Sequence, residues 1–323
     1  ILYIFQNSGC DMLDKRTIRC DLAIDMAEAE GLGSKIESDI VSGKYGVKRE
    51  VITIKNQADE ERTGVKRGRY VTLTRRGVYA ESDDEKIYFQ RCLAKAIRET
   101  VDFLDLDSDI TTLVLGLGNG YMTSDALGKN VCEGIITTRR PGEPIKNDVD
   151  KIKEVCAFHA NVCGVTGVES SEVARGLVNE IKPDLVICAD SLCAFRADRI
   201  GRSYQITTRG IKAGSGAGNT TGKTAGKTAG KSAGKSVGKE ISEETLGVPV
   251  VAIGVPFVIS ARRLIRDASG GDGGFDPVSP EEDMFVTYRD VDAILKECSS
   301  VISASINLAL QPGLSVADVL SFS

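Results

Sequence analysis

Two apolar stretches decide the fold: Thr111-Thr-Leu-Val-Leu-Gly-Leu-Gly-Asn119, which leads on to Asp125, and Pro183-Asp-Leu-Val-Ile-Cys-Ala189, which ends on Asp190. Both have the length and composition of strands buried inside a parallel sheet. In an open α/β sheet, ligands bind at the carboxyl ends of the strands. We therefore expect Asp125 and Asp190 to lie at one edge of the sheet and to face a single reacting atom.

A pair of aspartates at such an edge has a recognised chemistry. Two neighbouring carboxylates share a proton, because ionising both at once is unfavourable, and acid proteases use this arrangement to activate water. A second interpretation is that each aspartate caps a helix, Asp125 together with Thr123 and Ser124, and Asp190 ahead of a helix at 191–196. The residues alone leave both interpretations open.

The glycines after the first stretch indicate a close backbone approach. A dinucleotide fingerprint that uses Gly116 and Gly118 would need a further glycine at the position of Tyr121, so the match is weak. We instead expect Gly116, Gly118 and Asn119 to bind the backbone of a peptide or to stabilise an oxyanion.

Alternating strand-like and helix-like segments predict an α/β fold. We expect a mostly parallel sheet flanked by helices on both faces, with an additional N-terminal β-rich section. The predicted strands are 49–54, 68–74, 111–117, a short one near 134–137, 184–189 and 248–255. The predicted helices are 84–104, one from about 125, 169–181 and one near 288–310.

Composition narrows the class of protein. The chain has 323 residues, a net charge of −5, nine cysteines without a Cys-x-x-Cys pair, and one histidine. The cysteine usage favours a reducing, cytoplasmic compartment, and the acidic body disfavours direct nucleic-acid binding. No apolar run approaches the ~20 residues of a membrane span. We expect no metal site, and we expect His159 to be an ordinary loop or core residue rather than a catalytic one.

The chain is expected to hold one domain. Residues 1–21 have the irregular character of a leader, and residues 22–323 form a single α/β domain. Within it, residues 213–239 repeat Gly, Lys, Thr, Ser and Ala with a period of four, which indicates a surface loop. Its Gly-Lys-Thr/Ser triplets lack the upstream glycine of a phosphate-binding loop.

These motifs resemble the germination protease family of spore-forming bacteria. The resemblance rests on several blocks in one order, and it extends from about residue 18 to residue 313. The blocks are Arg19–Ile24, Gly116–Asn119, Thr123–Gly128, Gly164–Glu169, Lys182–Ile187, Gly210–Gly216, Glu243–Pro256 and Ile306–Gly313.

The resemblance implies an aspartic-type endopeptidase of the forespore or spore core that degrades small acid-soluble spore proteins. Its essential aspartates match Asp125 and Asp190. It also implies a fold related to hydrogenase maturation proteases, a homotetramer, no cofactor and no membrane partner. Its zymogen cleaves itself after an acid and before a large apolar residue followed by Ala. That rule predicts self-cleavage between Asp21 and Leu22, ahead of Ala23.

Some positions depart from the family pattern. Gly120 replaces an aromatic residue, Ser124 and Lys129 replace prolines, and the 156–164 loop differs. Two alternatives therefore remain: a processing peptidase of the hydrogenase-maturation type, which would depend on metal, and a catalytically silent binding or assembly protein.

Overall fold

The computed structural model describes residues 21–29, 31, 36–42, 45–107, 109–140, 152–212, 240–268, 284–311 and 313–321. The helices are α1 Ala23–Ala29, α2 Gln57–Thr63, α3 Asp83–Asp102, α4 Leu127–Glu133, α5 Cys163–Thr166, α6 Ser170–Ile181, α7 Glu243–Leu246, α8 Ala261–Ala268, α9 Val291–Leu310 and α10 Val316–Ser321. The strands are β1 Ile36–Ser42, β2 Val47–Ile54, β3 Gly68–Thr74, β4 Thr112–Gly116, β5 Val155–His159, β6 Leu185–Ala194, β7 Ser203–Thr207, β8 Ile211–Lys212, β9 Glu240–Ile241, β10 Val250–Ser260 and β11 Phe285–Val286. The predicted leader (apart from Asp21) and the 213–239 loop lie outside the described residues.

A mixed sheet forms the centre of the molecule. Within the described residues its strand order is β1-β2-β3-β7-β10-β6-β4-β5, with β11 paired to β10. Strands β10, β6, β4 and β5 run parallel to one another. Strands β1, β2, β3 and β7 pair in antiparallel fashion and join β10 through β7. The expectation of a mostly parallel sheet is therefore correct only for one half, and the β-rich N-terminal section completes the other half.

Helices cover both faces of the parallel half, as expected. On one face α3, α4 and α9 pack together over a large apolar core. On the opposite face α6 packs through Ala174 and Val178 against Leu113, Val186 and Cys188. Strands β6 and β10 are buried along their whole lengths because they lie between these two layers. This double burial explains why both strands are continuous apolar runs in the sequence.

Two local predictions are wrong. The segment after Asp190 is not a helix, because β6 continues to Ala194 and pairs in register with β10. The short strand predicted near residues 134–137 is absent from the described structure. Its backbone is instead held by α9, since Asn307 donates to the Gly134 carbonyl at 2.9 Å and accepts from Ile136 N–H at 3.0 Å.

Helix α9 is the central helix of the larger core. By length and composition it is the one helix of the described residues that could cross a membrane. In this fold, however, most of its residues are buried against α3 and α4. A core helix of this kind accounts for its apolar composition.

Candidate active site at the carboxyl ends of β4 and β6

Asp125 lies on a single 3-10 turn, Thr123–Asp125, between the loop that follows β4 and the start of α4. Its side chain is 0% exposed. Oδ2 accepts the backbone N–H of Asn119 at 2.8 Å, whereas Oδ1 accepts no hydrogen bond from any part of the chain that the structure describes. Burial raises the pKa of Asp125 to about 6, and the Asn119 hydrogen bond opposes that rise. In Asp125, therefore, the Asn119 hydrogen bond fixes one carboxyl oxygen, and the raised pKa lets the group bind a proton closer to neutral pH than an exposed aspartate does.

Asp190 lies inside β6 and is also 0% exposed. It directly follows Ala189, which pairs with Gly116 as the last residue pair between β6 and β4. Its Oδ1 accepts the backbone N–H of Ser191 at 2.8 Å. On the other side of β6, its register partner in β10 is Gly254. Asp190 is therefore the first residue of β6 beyond the end of β4.

Close backbone packing brings the Asp125 turn onto these strand ends. Gly118 has a φ of +93°, and a Cβ there would lie 2.2 Å from the Asp125 carbonyl and 3.1 Å from its Oδ1. A Cβ on Gly128 would lie 2.2 Å from Leu117 N and 2.6 Å from the Ala189 carbonyl. Glycine is required at both positions, since any side chain would collide with backbone atoms. Both aspartates consequently lie at the same end of the sheet, as the sequence predicts.

The residues predicted to bind a peptide have separate positions. Gly116 is buried beneath α4, where a Cβ would lie 2.2 Å from the Gly128 carbonyl. Gly118 and Asn119 border Asp125, and the Asn119 side chain accepts the backbone N–H of Tyr121 at 3.0 Å. Gly116 thus contributes packing, while Gly118 and Asn119 form the edge of the site.

His159 belongs to the same edge, although the sequence led us to expect an ordinary loop or core histidine there. It is the last residue of β5 and pairs with Gly116. Its Nε2 lies 3.2 Å from the Gly118 carbonyl oxygen. One signal was available in the sequence: a Cβ on Gly120 would lie 2.9 Å from His159 Cε1, so the replacement of an aromatic residue by Gly120 leaves room for the imidazole.

The Asp21-Leu22-Ala23 segment is bound alongside the far end of β6. Asp21 N–H donates to the Cys193 carbonyl at 3.0 Å, and the Asp21 carboxylate accepts Cys193 N–H at 2.8 Å. Leu22 is fully buried in a small apolar cluster with Leu192. Because side chains alternate along a strand, Leu192 and Asp190 project from the same face of β6. The segment therefore lies on the face that presents the Asp190 carboxylate.

Comparison with known proteins identifies the family to which the chain belongs. A family model described as germination protease matches residues 25–270, most of the chain. The chain belongs to the germination protease family. A germination protease of Clostridium tetani is 31% identical over 340 residues, covering 95% of this chain and 99% of that protein. The germination proteases of Clostridium acetobutylicum and Caldanaerobacter subterraneus subsp. tengcongensis are 32% and 33% identical, and cover 94% and 92% of this chain. Membership of this family makes the chain a peptidase with a role in spore germination.

Proposed function

We propose that this germination protease is an aspartic-type endopeptidase in which Asp125 and Asp190 act as the catalytic pair. The observation that supports the proposal most directly is the position of two fully buried carboxyl groups at one end of the sheet, next to glycines that leave the backbone accessible. Burying ionisable groups is unfavourable, so a fold retains two buried carboxyl groups at one end of its sheet where their chemistry is needed.

The reaction follows from sharing one proton between the two groups. The ionised carboxyl takes a proton from a water molecule, whose oxygen attacks the scissile carbonyl carbon. The protonated carboxyl then gives its proton to the departing amine, and the peptide bond breaks. A pKa of about 6 suits Asp125 to the acid role, because it holds a proton near neutral pH more readily than an exposed aspartate does.

We propose small acid-soluble spore proteins as the substrates, cut after an acid and before a large apolar residue followed by Ala. The chain's own Asp21-Leu22-Ala23 satisfies this rule and is bound on the Asp190 face of β6. Gln205 holds the backbone on both sides of the Asp21–Leu22 bond: it donates to the Asp21 carbonyl at 2.9 Å and accepts Ala23 N–H at 2.7 Å. This arrangement supports self-processing of a zymogen at that bond.

The remaining parts of the proposal rest on the family resemblance. They are a homotetramer in the forespore or spore core, a chemistry that needs no cofactor, and a fold relationship to the hydrogenase maturation proteases. The two alternatives to the proposed function are the metal-dependent processing peptidase and the catalytically silent binding protein.

Intact-mass measurement tests the proposal. Wild type, Asp125→Asn and Asp190→Asn are incubated at mildly acidic pH, beside Asp102→Asn, which changes an exposed aspartate at the end of α3. Loss of residues 1–21 in wild type and Asp102→Asn only, followed by cleavage of a spore-protein substrate, is the expected result. Full activity in either site variant would refute the pair. Cleavage abolished by a chelator would favour the maturation-type peptidase, and an intact chain that also leaves substrate uncut would favour the silent protein.

A further inference from the structure

We propose that His159 is a positioning residue for Asp125, acting through the peptide unit that joins Gly118 to Asn119. This inference rests on the proposed role of Asp125. The Gly118 carbonyl faces His159 Nε2 at 3.2 Å, and the N–H of the same peptide unit donates to Asp125 Oδ2 at 2.8 Å. One rigid, planar peptide unit thus connects the imidazole to the carboxyl group.

The direction of the hydrogen bond fixes the tautomer of the imidazole. A carbonyl oxygen only accepts, so Nε2 must donate, and in the neutral ring Nδ1 then has no proton. Burial and the cation of Lys129 lower the pKa of His159, while the Gly118 hydrogen bond and Glu133 oppose that shift. Lys129 and Glu133 both belong to α4, which also places the Cys132 thiol against the neighbouring Phe158 carbonyl. His159 is therefore neutral at pH 7 and remains a donor to Gly118 when it is protonated.

The peptide unit depends on His159 for its orientation because glycines flank it. Gly118 adopts a φ of +93°, and Gly120 follows Asn119 directly. Glycine backbones rotate more freely than others, so the orientation of this peptide unit is set by the contacts that it makes. The imidazole restrains the Gly118 carbonyl. Because the peptide unit is planar, the Asn119 N–H at its other end then points at Asp125 Oδ2. Asp125 Oδ1 is left to face the reaction.

The same contact has an electrostatic consequence. A donor on the carbonyl polarises the peptide unit and strengthens the hydrogen bond that its N–H makes. A stronger hydrogen bond to Asp125 favours the ionised carboxylate and lowers its pKa. Loss of the imidazole donor should therefore raise the pKa of Asp125 and loosen its position together.

The histidine itself provides a readout that does not require proteolysis. Because the chain has one histidine, its side-chain ¹⁵N resonances are unambiguous in a nuclear magnetic resonance spectrum. We expect the Nε2–H tautomer in wild type. We also expect Asp125→Asn, which changes the acceptor at the other end of the Gly118–Asn119 peptide unit, to shift the Nε2 resonance of His159, and Asp102→Asn to leave it unchanged. An Nδ1–H tautomer, or an Nε2 resonance identical in wild type and Asp125→Asn, would overturn the proposal.

Kinetics on spore-protein substrate provide the second test. His159→Phe should lower kcat between about twofold and tenfold, the range expected for one neutral hydrogen bond, with KM little changed. It should also move the alkaline limb of the kcat/KM profile, where the acid Asp125 loses its proton, to higher pH, and His159→Gln, which retains an N–H donor, should recover part of both effects. A merely structural histidine would lower the thermal midpoint without moving that limb, and this result would contradict the proposal.

A third variant, Gly120→Ala, tests the proposal even if His159→Phe fails to fold. Gly120→Ala places a methyl group 2.9 Å from His159 Cε1, so it should displace the ring and reproduce the shifted alkaline limb. Wild-type kinetics in Gly120→Ala together with an unchanged histidine spectrum would count against the proposal. If no variant, wild type included, cleaves substrate, the proposed function fails, while the tautomer and the Nε2 resonance in Asp125→Asn still decide whether His159 and Asp125 are coupled.

Discussion

The side chain of Gln205 accepts the backbone N–H of Ala23 at 2.7 Å, although the two residues are 182 positions apart in the chain. Its amide nitrogen donates to the Asp21 carbonyl at 2.9 Å. One buried side chain on β7 thus contacts the backbone on both sides of the Asp21–Leu22 bond. This contact, together with the hydrogen bonds to Cys193, fixes the position of the segment relative to β6.

Gln205→Leu should therefore slow self-processing. The substitution leaves the Ala23 N–H and the Asp21 carbonyl without their hydrogen-bond partner. Each of these groups that stays buried destabilises the bound segment by about 1–3 kcal/mol. The segment would detach, and we expect the rate of leader loss to fall about tenfold or more in an intact-mass time course. Gln57→Leu, which changes an exposed glutamine on α2, is the matched control. An unchanged rate in Gln205→Leu would show that this bound position is not the one from which cleavage occurs.

Asp125→Asn should stabilise the protein at neutral and alkaline pH. The pKa of Asp125 in the folded protein is about 6, above its ordinary value of 3.8. The folded state thus binds this proton more tightly than the unfolded chain does. The resulting stability is complete below about pH 4 and is lost as the pH rises through about 6. An asparagine at position 125 is neutral at every pH, so the variant does not lose this stability. The stability that wild type loses is on the order of 2–3 kcal/mol.

Urea denaturation of wild type and Asp125→Asn at pH 4 and pH 8 measures this effect. We expect the variant to have the larger free energy of unfolding at pH 8 and the difference to shrink toward pH 4. Asp102→Asn provides the baseline for replacing an exposed aspartate. A difference that grows as the pH falls would mean that the pKa of Asp125 is lowered in the folded protein.

Arg199→Met should destabilise the protein in a pH-dependent way. Arg199 donates to Asp25 at 3.0 Å and to Glu50 at 3.2 Å, and all three side chains are buried. Removing the cation breaks the ion pair of the buried Asp25, while Glu50 retains its ion pair with Lys48, and breaking a buried pair costs about 3–5 kcal/mol. Burial already raises the pKa of Asp25 to about 6 against the opposing effect of Arg199, so the deficit should be largest above pH 6.

The measurement is again urea denaturation, at pH 5 and pH 8, with Arg196→Met as the control because half of that side chain is in solvent. The deficit of Arg199→Met should shrink at pH 5, where the carboxyl groups take up protons. A deficit of equal size at both pH values would indicate lost packing rather than unpaired charge.

The sequence predicted those features that depend on local pattern. The strand 68–74, the helices α3 and α6, and the placement of Asp125 and Asp190 at one sheet edge follow from periodicity and from the apolar runs. The sequence did not predict the continuation of β6 past Asp190. Ser191-Leu-Cys-Ala has no strand pattern of its own and becomes a strand because it pairs with β10. Long-range contacts also determine the loop at Gly134, which Asn307 holds, and the position of His159, which depends on space beside Gly120.

Two helical glycines offer the sharpest test of how Asp125 is positioned. In Gly128→Ala the new Cβ would lie 2.2–2.6 Å from the backbone of Leu117 and Ala189, none of which can rotate away. α4 and the Asp125 turn would have to shift. We expect a lower thermal midpoint and a loss of substrate cleavage greater than the loss of stability explains.

Gly176→Ala in α6 is the matched control. Its new Cβ meets nothing within 4 Å, so the substitution should stabilise the protein by ~0.5–1 kcal/mol without changing cleavage. A Gly128→Ala protein with wild-type cleavage would show that the Asp125 turn does not depend on its contact with the ends of β4 and β6.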